Sequence, residues 1–210
     1  MNEIKFYRVS GPYGFLSNFS PHPIYVEREM WATVEHYFQA SKFENNEVRK
    51  KIKSFNSPMK AAQEGRSRNY VIRADWESVK DSIMLNGLIA KFLQHQELKV
   101  ELLKTEDAIL IEDSFNDSYW ANGGDGKGKN RLGKLLMDVR EIIITISNDT
   151  NIVFPPWMAF PELSQYDIFW RMGLGEEYLT RWSQYYLSIA DQEVYKIKFP
   201  ENENWEGIYD

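Results

Sequence analysis

A long helical pattern of apolar residues in the middle of the chain constrains the fold most. The pattern begins after Asp75, a residue suited to a helix N-cap, and tolerates one interruption at Gly87. The apolar residues that recur at near-helical spacing are Val79, Ile83, Ile89 or Ala90, and Leu93. The spacing predicts one long helix at the centre of the core.

Shorter elements are predicted on both sides of this helix. Thr33 is suited to cap a helix, and Ser57 followed by Pro58 marks the start of another, which Gly65 can end. With further amphipathic patterns, the predicted helices cover residues 34–44, 58–64, 98–103 and 130–144. Short strands are predicted at residues 4–9, 24–27 and 108–111.

The C-terminal part of the chain is predicted to be an extension. Residues 147–151 are the one composition break that resembles a linker, so we predict a domain at 1–146 and an extension at 147–210. The extension is too apolar for a free tail, and packing on the core is favoured over a dimer interface or a wall of the substrate cleft. The oligomeric state stays open. The aromatic residues concerned are Trp157, Phe160, Trp170, Tyr178, Trp182, Tyr185 and Tyr186.

Composition excludes several classes of function. The formal net charge of -6 gives no general attraction to nucleic acid, so any such contact requires a local basic cluster. The chain has no cysteine, which excludes disulfides, thiolate zinc sites and cysteine nucleophiles, and we expect neither a structural metal nor a cofactor. No signal-peptide core precedes the domain, and the longest apolar run, at residues 142–146, is too short for a bilayer. We expect a cytoplasmic protein without membrane contact.

The first polar segment, at residues 11–20, combines glycines with Ser17, Asn18 and Phe19. Glycines permit close backbone approach, and hydroxyl and amide groups beside an aromatic ring suit a flat heterocycle joined to a sugar. The alternative is a structured turn in which Ser17 and Asn18 satisfy backbone amides.

The second segment, at residues 31–43, places three polar side chains on one face of a predicted helix. Glu35, Gln39 and Lys42 fall at i, i+4 and i+7. A carboxylate, an amide and an amine in this order suit an acid, a substrate anchor and a cation or nucleophile. The alternative is an ordinary solvated face. His36 is interpreted as a hydrogen-bonded core or rim histidine.

The third segment places Arg66, Arg68 and Arg73 just before the long helix. Arginine forks and helix N-terminal amides both favour anions, so this is the best local candidate for a phosphate grip. Arginines in a surface loop are also commonly just solvated. Trp76, at the start of the helix, suits either stacking on a base or packing.

The fourth segment, at residues 116–133, is a polar loop with four glycines in six positions. It lacks the spacing of a phosphate-binding Walker loop and that of a calcium loop. Candidate substrate contacts are Trp120, Gly124 and Asp125, with Asp117 as a candidate carboxylate. A plain flexible loop is the alternative.

Together the four segments resemble the signature of the NADAR family, also called YbiA-like. They read FYRVSGPYGFLSNFSP, WATVEHYFQASKF, SPMKAAQEGRSR and NDSYWANGGDGKGKNRLGKLLMDVR, and the resemblance covers about residues 5–141. It implies an α+β fold that is predominantly helical with a few short strands. It also implies N-glycosidase activity on N-ribosides, either phosphoribosylamino-pyrimidine intermediates of riboflavin biosynthesis or ADP-ribosylated guanine in nucleic acid.

Carried onto this chain, the resemblance implies catalytic positions at Glu35, Trp76 and Asp117. One carboxylate protonates the departing base and the other orients water, in an order that the sequence leaves open. Lys42 lies in the family's FQxxKF pattern and suggests an imine with an opened ribosyl aldehyde. The rival hypotheses are a non-catalytic module that binds ADP-ribose or a nucleotide, and an antitoxin-like role for the same hydrolysis.

Overall fold

The computed structural model describes residues 2–209 and has an α+β fold in which helices dominate. The helices are α1 (Val34–Ala40), α2 (Asn46–Lys53), α3 (Pro58–Gly65), α4 (Trp76–Gln94), α5 (Gln96–Leu103), α6 (Arg131–Ile146), α7 (Pro156–Ala159), α8 (Gly173–Ser188) and α9 (Gln192–Lys198). The strands are β1 (Glu3–Phe6), β2 (Ile24–Val26), β3 (Glu29–Trp31) and β4 (Ile109–Glu112). Single 3-10 turns cover Gly14–Leu16, Ile168–Arg171 and Glu203–Trp205.

The long predicted helix is present as α4 and packs against α1, α6 and β2. Leu88 and Phe92 on this helix are fully buried. Gly87 is more than a tolerated interruption, because a Cβ there would lie 3.0 Å from Val34 and 3.1 Å from Tyr37. The glycine therefore lets α1 approach α4 closely, and this contact positions the helix that carries Glu35.

Two small sheets complete the main body. The strands β1 and β4 pair in parallel, with Phe6 opposite Glu112, and β2 and β3 form an antiparallel hairpin. Glu27 and Arg28 in the hairpin turn both have positive φ angles, as a two-residue turn of this kind requires. Strand β3 and helix α2 were not predicted.

Two predicted helix caps differ from the structure. Ser57 and Asp75 occupy the N-cap positions of α3 and α4, but neither side chain accepts a capping hydrogen bond. Instead, Asp75 Oδ1 accepts a hydrogen bond from Arg73 Nε at 2.6 Å. Thr33 is a true cap, since its side chain accepts a hydrogen bond from the His36 N–H.

The C-terminal residues lie against the far end of α4. Gln94 Nε2 donates to the carbonyl of Ala159 at 3.0 Å, and Lys99 Nζ donates to the carbonyl of Ile152. The Glu162 carboxylate accepts hydrogen bonds from both N–H groups of the β2–β3 turn. A helix of this length spans about 27 Å, so these contacts are remote from Trp76 at the other end. The division into a domain and an extension stays a prediction.

Within residues 2–209, no helix combines the length and the apolar character that crossing a membrane would require.

Candidate active site

The site is built around Glu35, in the first turn of α1. Its side chain is only 4% exposed. Oε2 accepts a hydrogen bond from Asn18 Nδ2 at 3.0 Å, and Oε1 accepts one from Gln39 Nε2 at 2.7 Å. Burial raises the pKa of Glu35, against the opposing effect of the two amide donors. The structure therefore brings together three of the residues that the sequence selected.

Two amide oxygens beside Glu35 have no partner. Both amides donate to the carboxyl group through nitrogen, which leaves Asn18 Oδ1 and Gln39 Oε1 buried and unbonded within the described part of the chain. Buried polar atoms are normally satisfied, so these two unbonded acceptors mark the surroundings of Glu35 as a candidate place for a polar ligand. A Cβ at Gly65 would lie 2.1 Å from Gln39 Oε1, so a glycine is needed there for Gln39 to keep its position.

The loop that carries Asn18 is held by a buried lysine. Lys91 is fully buried on α4, and its Nζ donates to the carbonyls of Phe15 and Ser17. Burial lowers the pKa of Lys91 to about 7. The Ser17 hydroxyl accepts a hydrogen bond from the Phe19 N–H, so Ser17 stabilises this loop while Asn18 reaches the carboxyl group.

Lys42 follows α1, and its charge acts on the same carboxyl group. Its Nζ donates to the Gly65 carbonyl at 3.2 Å and lies 5.7 Å from the ring centroids of both Phe38 and Trp76. Burial lowers the pKa of Lys42, while the charge of Glu35 acts in the opposite direction. A lysine with a lowered pKa carries more of the neutral amine, which is the nucleophilic form.

A row of three aromatic rings runs from α4 to the loop after β4. The ring of Phe38 lies 5.0 Å from that of Trp76 and 5.2 Å from that of Trp120. Trp76 is almost buried, whereas Trp120 is half-buried. Aromatic faces of this kind suit a planar base, and the burial of Trp76 also fits the packing interpretation.

Asp117 organises the turn that carries Trp120. Its Oδ1 accepts hydrogen bonds from the N–H groups of Tyr119 at 2.8 Å and Trp120 at 2.7 Å. The carbonyl of Asp117 also accepts a hydrogen bond from the Gly123 N–H at 3.1 Å. One carboxylate oxygen thus holds the loop, and the other makes no hydrogen bond in the range 2–209.

Glu112 is a third carboxyl group at this site, and the sequence reasoning missed it. It is the last residue of β4 and is half-buried. Burial, together with the smaller effects of the charges of Asp117 and Glu35, raises its pKa to about 8. The signal that could have found it is a glutamate two residues after Leu110, at an inward position of an apolar strand.

Cationic groups lie at the rim of the site. Lys80 Nζ is 3.8 Å and Lys129 Nζ is 4.9 Å from the ring centroid of Tyr119, whose backbone N–H is bound by Asp117. Arg66 is exposed, and its charge acts on Glu35 and Lys42. Neither of these two lysines was selected from the sequence.

Other predicted binding residues make their hydrogen bonds to groups other than Glu35. The guanidinium of Arg73 binds both oxygens of Asp75, at 2.6 and 2.8 Å, which uses its bidentate face. Arg68 is exposed. Asp125 accepts a hydrogen bond from the Lys127 N–H and stays within its own loop, as does Gly124, whose φ is +73°. Of the three arginines, only Arg66 acts on Glu35.

The histidine next to Glu35 is satisfied within the core. His36 Nδ1 lies 2.8 Å from the Thr33 hydroxyl, and Nε2 lies 3.0 Å from the Phe55 carbonyl. The described residues contain no group of three or more His, Asp or Glu side chains arranged to hold a metal ion.

The family model, the similar sequences and the similar solved structure agree with one another. A protein-family model, the NADAR domain, matches residues 5–144. N-glycosidase YbiA of Shigella flexneri serotype 5b is 53% identical over 138 residues, which are 66% of this chain and 86% of that protein. The chloroplastic riboflavin biosynthesis protein PYRR of Zea mays is 40% identical over 158 residues, which are 68% of this chain but 25% of that protein. The NMR structure of the E. coli protein YbiA is similar with a TM-score of 0.65 and 50% identity, covering 69% of this chain and 86% of that one.

Proposed function

Because the chain belongs to the NADAR family, we propose that it is an N-glycosidase that hydrolyses the C–N bond of an N-riboside. The observation that carries the proposal is the buried carboxyl group of Glu35, held by two amide donors next to Lys42. A group of this kind is costly to keep in a protein interior, and such arrangements concentrate at functional sites.

Breaking a C–N glycosidic bond places positive charge on the anomeric carbon and the ring oxygen. Glu35 and Asp117 stabilise this charge, and a carboxylate oxygen orients the attacking water. The free oxygens of Asn18 and Gln39 accept hydrogen bonds from the ribose hydroxyls, which fixes the sugar beside Glu35. The site thus supplies both charge stabilisation and orientation from its own side chains.

The remaining parts of the substrate match the surroundings of Glu35. The base lies against the aromatic row of Trp76, Phe38 and Trp120. The phosphate of the substrate is attracted by Lys129, aided by the charge of Arg66. The name of the maize relative favours a phosphoribosylamino-pyrimidine as substrate, and ADP-ribosylated guanine is the second candidate.

Lys42 adds a covalent variant of the same reaction. In its neutral form the amine attacks the anomeric carbon, and the base leaves with the electron pair of the C–N bond and a proton. Opening of the ribose ring gives an imine, which water hydrolyses to regenerate the amine and release the sugar. This variant is supported by the lowered pKa of Lys42 and by the position of its Nζ near the rings of Phe38 and Trp76.

The test is a direct assay of product release. Purified protein is incubated with a 5-phosphoribosylamino-pyrimidine and, separately, with DNA that carries ADP-ribosylated guanine, and mass spectrometry measures free base or free ADP-ribose. We expect release from at least one substrate. Tight binding in calorimetry without any product would support the rival binding module, and no release by folded protein overturns the enzymatic function.

A further inference from the structure

The side chain of Glu112 leaves its strand on the side that faces the core. In the parallel pair of β1 and β4, Glu112 is opposite Phe6, and Leu110 precedes it by two residues. Phe6 and Leu110 are both buried, and side chains two residues apart in a strand lie on the same face. Glu112 therefore continues the buried face of this sheet at the point where β4 ends.

The backbone of Glu112 is fixed from both sides. Its N–H donates to Asn130 Oδ1 at 3.0 Å, and its carbonyl accepts a hydrogen bond from the Asn122 N–H at 2.9 Å. The loop that follows β4 carries Asp117 and Trp120, and it returns to Glu112 at Asn122. The carboxyl group thus stands at the base of the loop that carries two of the proposed substrate contacts.

Burial and two other carboxyl groups disfavour the ionised form of Glu112. The charges that act on Glu112 are those of Asp117 and Glu35, and it has no hydrogen-bond partner of its own among the described side chains. Its pKa of about 8 keeps it protonated at neutral pH.

Two charged neighbours of Glu112, one in the loop and one at the start of α6, are already engaged. The Asp113 carboxylate accepts a hydrogen bond from Asn122 Nδ2 at 2.6 Å, and Arg131 is paired with Asp81 at 2.8 Å. The facing residue of β1 is the apolar Phe6. No cation among these neighbours therefore favours the ionised form of Glu112.

We propose that Glu112 is the general acid of the reaction, an inference that rests on the proposed N-glycosidase function. As the C–N bond breaks, its electron pair passes to the nitrogen of the base, and the Glu112 O–H gives that nitrogen its proton. Water adds to the anomeric carbon and loses a proton to the Asp117 carboxylate, whose second oxygen makes no hydrogen bond among the described residues. This proton returns to Glu112, so the net reaction consumes one water. Glu35, whose two oxygens both accept amide hydrogen bonds, is left with charge stabilisation rather than proton donation.

The experiment compares Glu112→Gln and Glu112→Asp with wild type on the substrate that the wild-type protein cleaves. Glu3→Gln, at an exposed position of the neighbouring strand β1, is the matched control. We expect Glu112→Gln to lower kcat by about 10²–10⁴-fold. Wild-type kcat should fall as the pH rises through about 8, and this alkaline limb should be missing in Glu112→Gln and retained in Glu112→Asp.

A second measurement is independent of turnover. Carbon NMR of ¹³C-labelled glutamate side chains should show one carboxyl group that titrates near pH 8 and is missing in Glu112→Gln, and its pKa should fall in Asp117→Asn. An active Glu112→Gln variant with an unchanged alkaline limb overturns the assignment while the N-glycosidase function stands. An inactive wild-type protein overturns both.

Discussion

Replacing Glu112 by glutamine is expected to stabilise the protein while it impairs catalysis. The folded protein raises the pKa of this carboxyl group from 4.5 to about 8. Between these two pH values the unfolded chain releases the proton and the folded protein keeps it, so the group lowers stability as the pH rises. Below about pH 4.5 the effect vanishes, and above about pH 8 it is complete.

The size of this destabilisation follows from the difference between the pKa values of Glu112 in the unfolded and the folded protein. Each pH unit corresponds to about 1.4 kcal/mol, so the full destabilisation reaches at most about 5 kcal/mol. Because the side chain is half-buried, water and small rearrangements relieve part of it, and we expect Glu112→Gln to gain about 1–3 kcal/mol at pH 8.5. The amide has nearly the same shape and carries no titrating proton.

Urea unfolding followed by circular dichroism at pH 5 and pH 8.5 measures this difference. The gain of Glu112→Gln over wild type should be small at pH 5 and large at pH 8.5, with unchanged denaturant dependence. Glu3→Gln, at an exposed position, is the control for the loss of one carboxyl group from the surface. Equal stability of Glu112→Gln and wild type at pH 8.5, or a loss of stability, refutes the reasoning.

Three further outcomes are expected. Gly65→Ala should displace Gln39 and lower kcat by about 10-fold or more, with some loss of thermal stability because the new methyl group would lie 2.9 Å from Gln39 Cβ as well as 2.1 Å from its Oε1; an unchanged kcat contradicts the close contact seen here. Trp76→Ala should weaken substrate binding by about 1–3 kcal/mol, measured by calorimetry with inactive protein, and Trp76→Phe should recover most of it; equal binding by all three proteins favours a packing role. Borohydride added during turnover should attach the ribosyl group to wild-type protein and not to Lys42→Arg, as intact mass will show; no adduct on wild type removes the imine variant.

The sequence predicts most of the main body because local signals and burial agree there. The apolar period of α4, the Thr33 cap of α1 and the proline at the start of α3 each depend on neighbouring residues only. Strand β3 is too short to give a clear alternation. The helices α8 and α9 lie in the aromatic-rich segment 147–210, for which the sequence predicts packing on the core but no individual elements.

The site is predictable only in part, because its chemistry depends on contacts between distant segments. Glu35, Gln39 and Lys42 lie within eight residues of one another, so the spacing alone indicates them, although α1 ends at Ala40 and Lys42 lies just beyond it. The environment of Glu112 comes from strand β1 and from the loop that returns to it, neither of which its local sequence reveals. The pairing of Arg73 with Asp75 is local, yet three nearby arginines gave a stronger signal for an anion.

The most direct test of the account is the rate of base release by wild type and by Glu35→Gln, measured by mass spectrometry on one N-riboside substrate. Wild-type protein should release the base, and Glu35→Gln should be slower by about 10² or more while it remains folded, because the amide cannot supply the negative charge beside the sugar. Equal rates for the two proteins, or no release by folded wild type, would contradict the central claim.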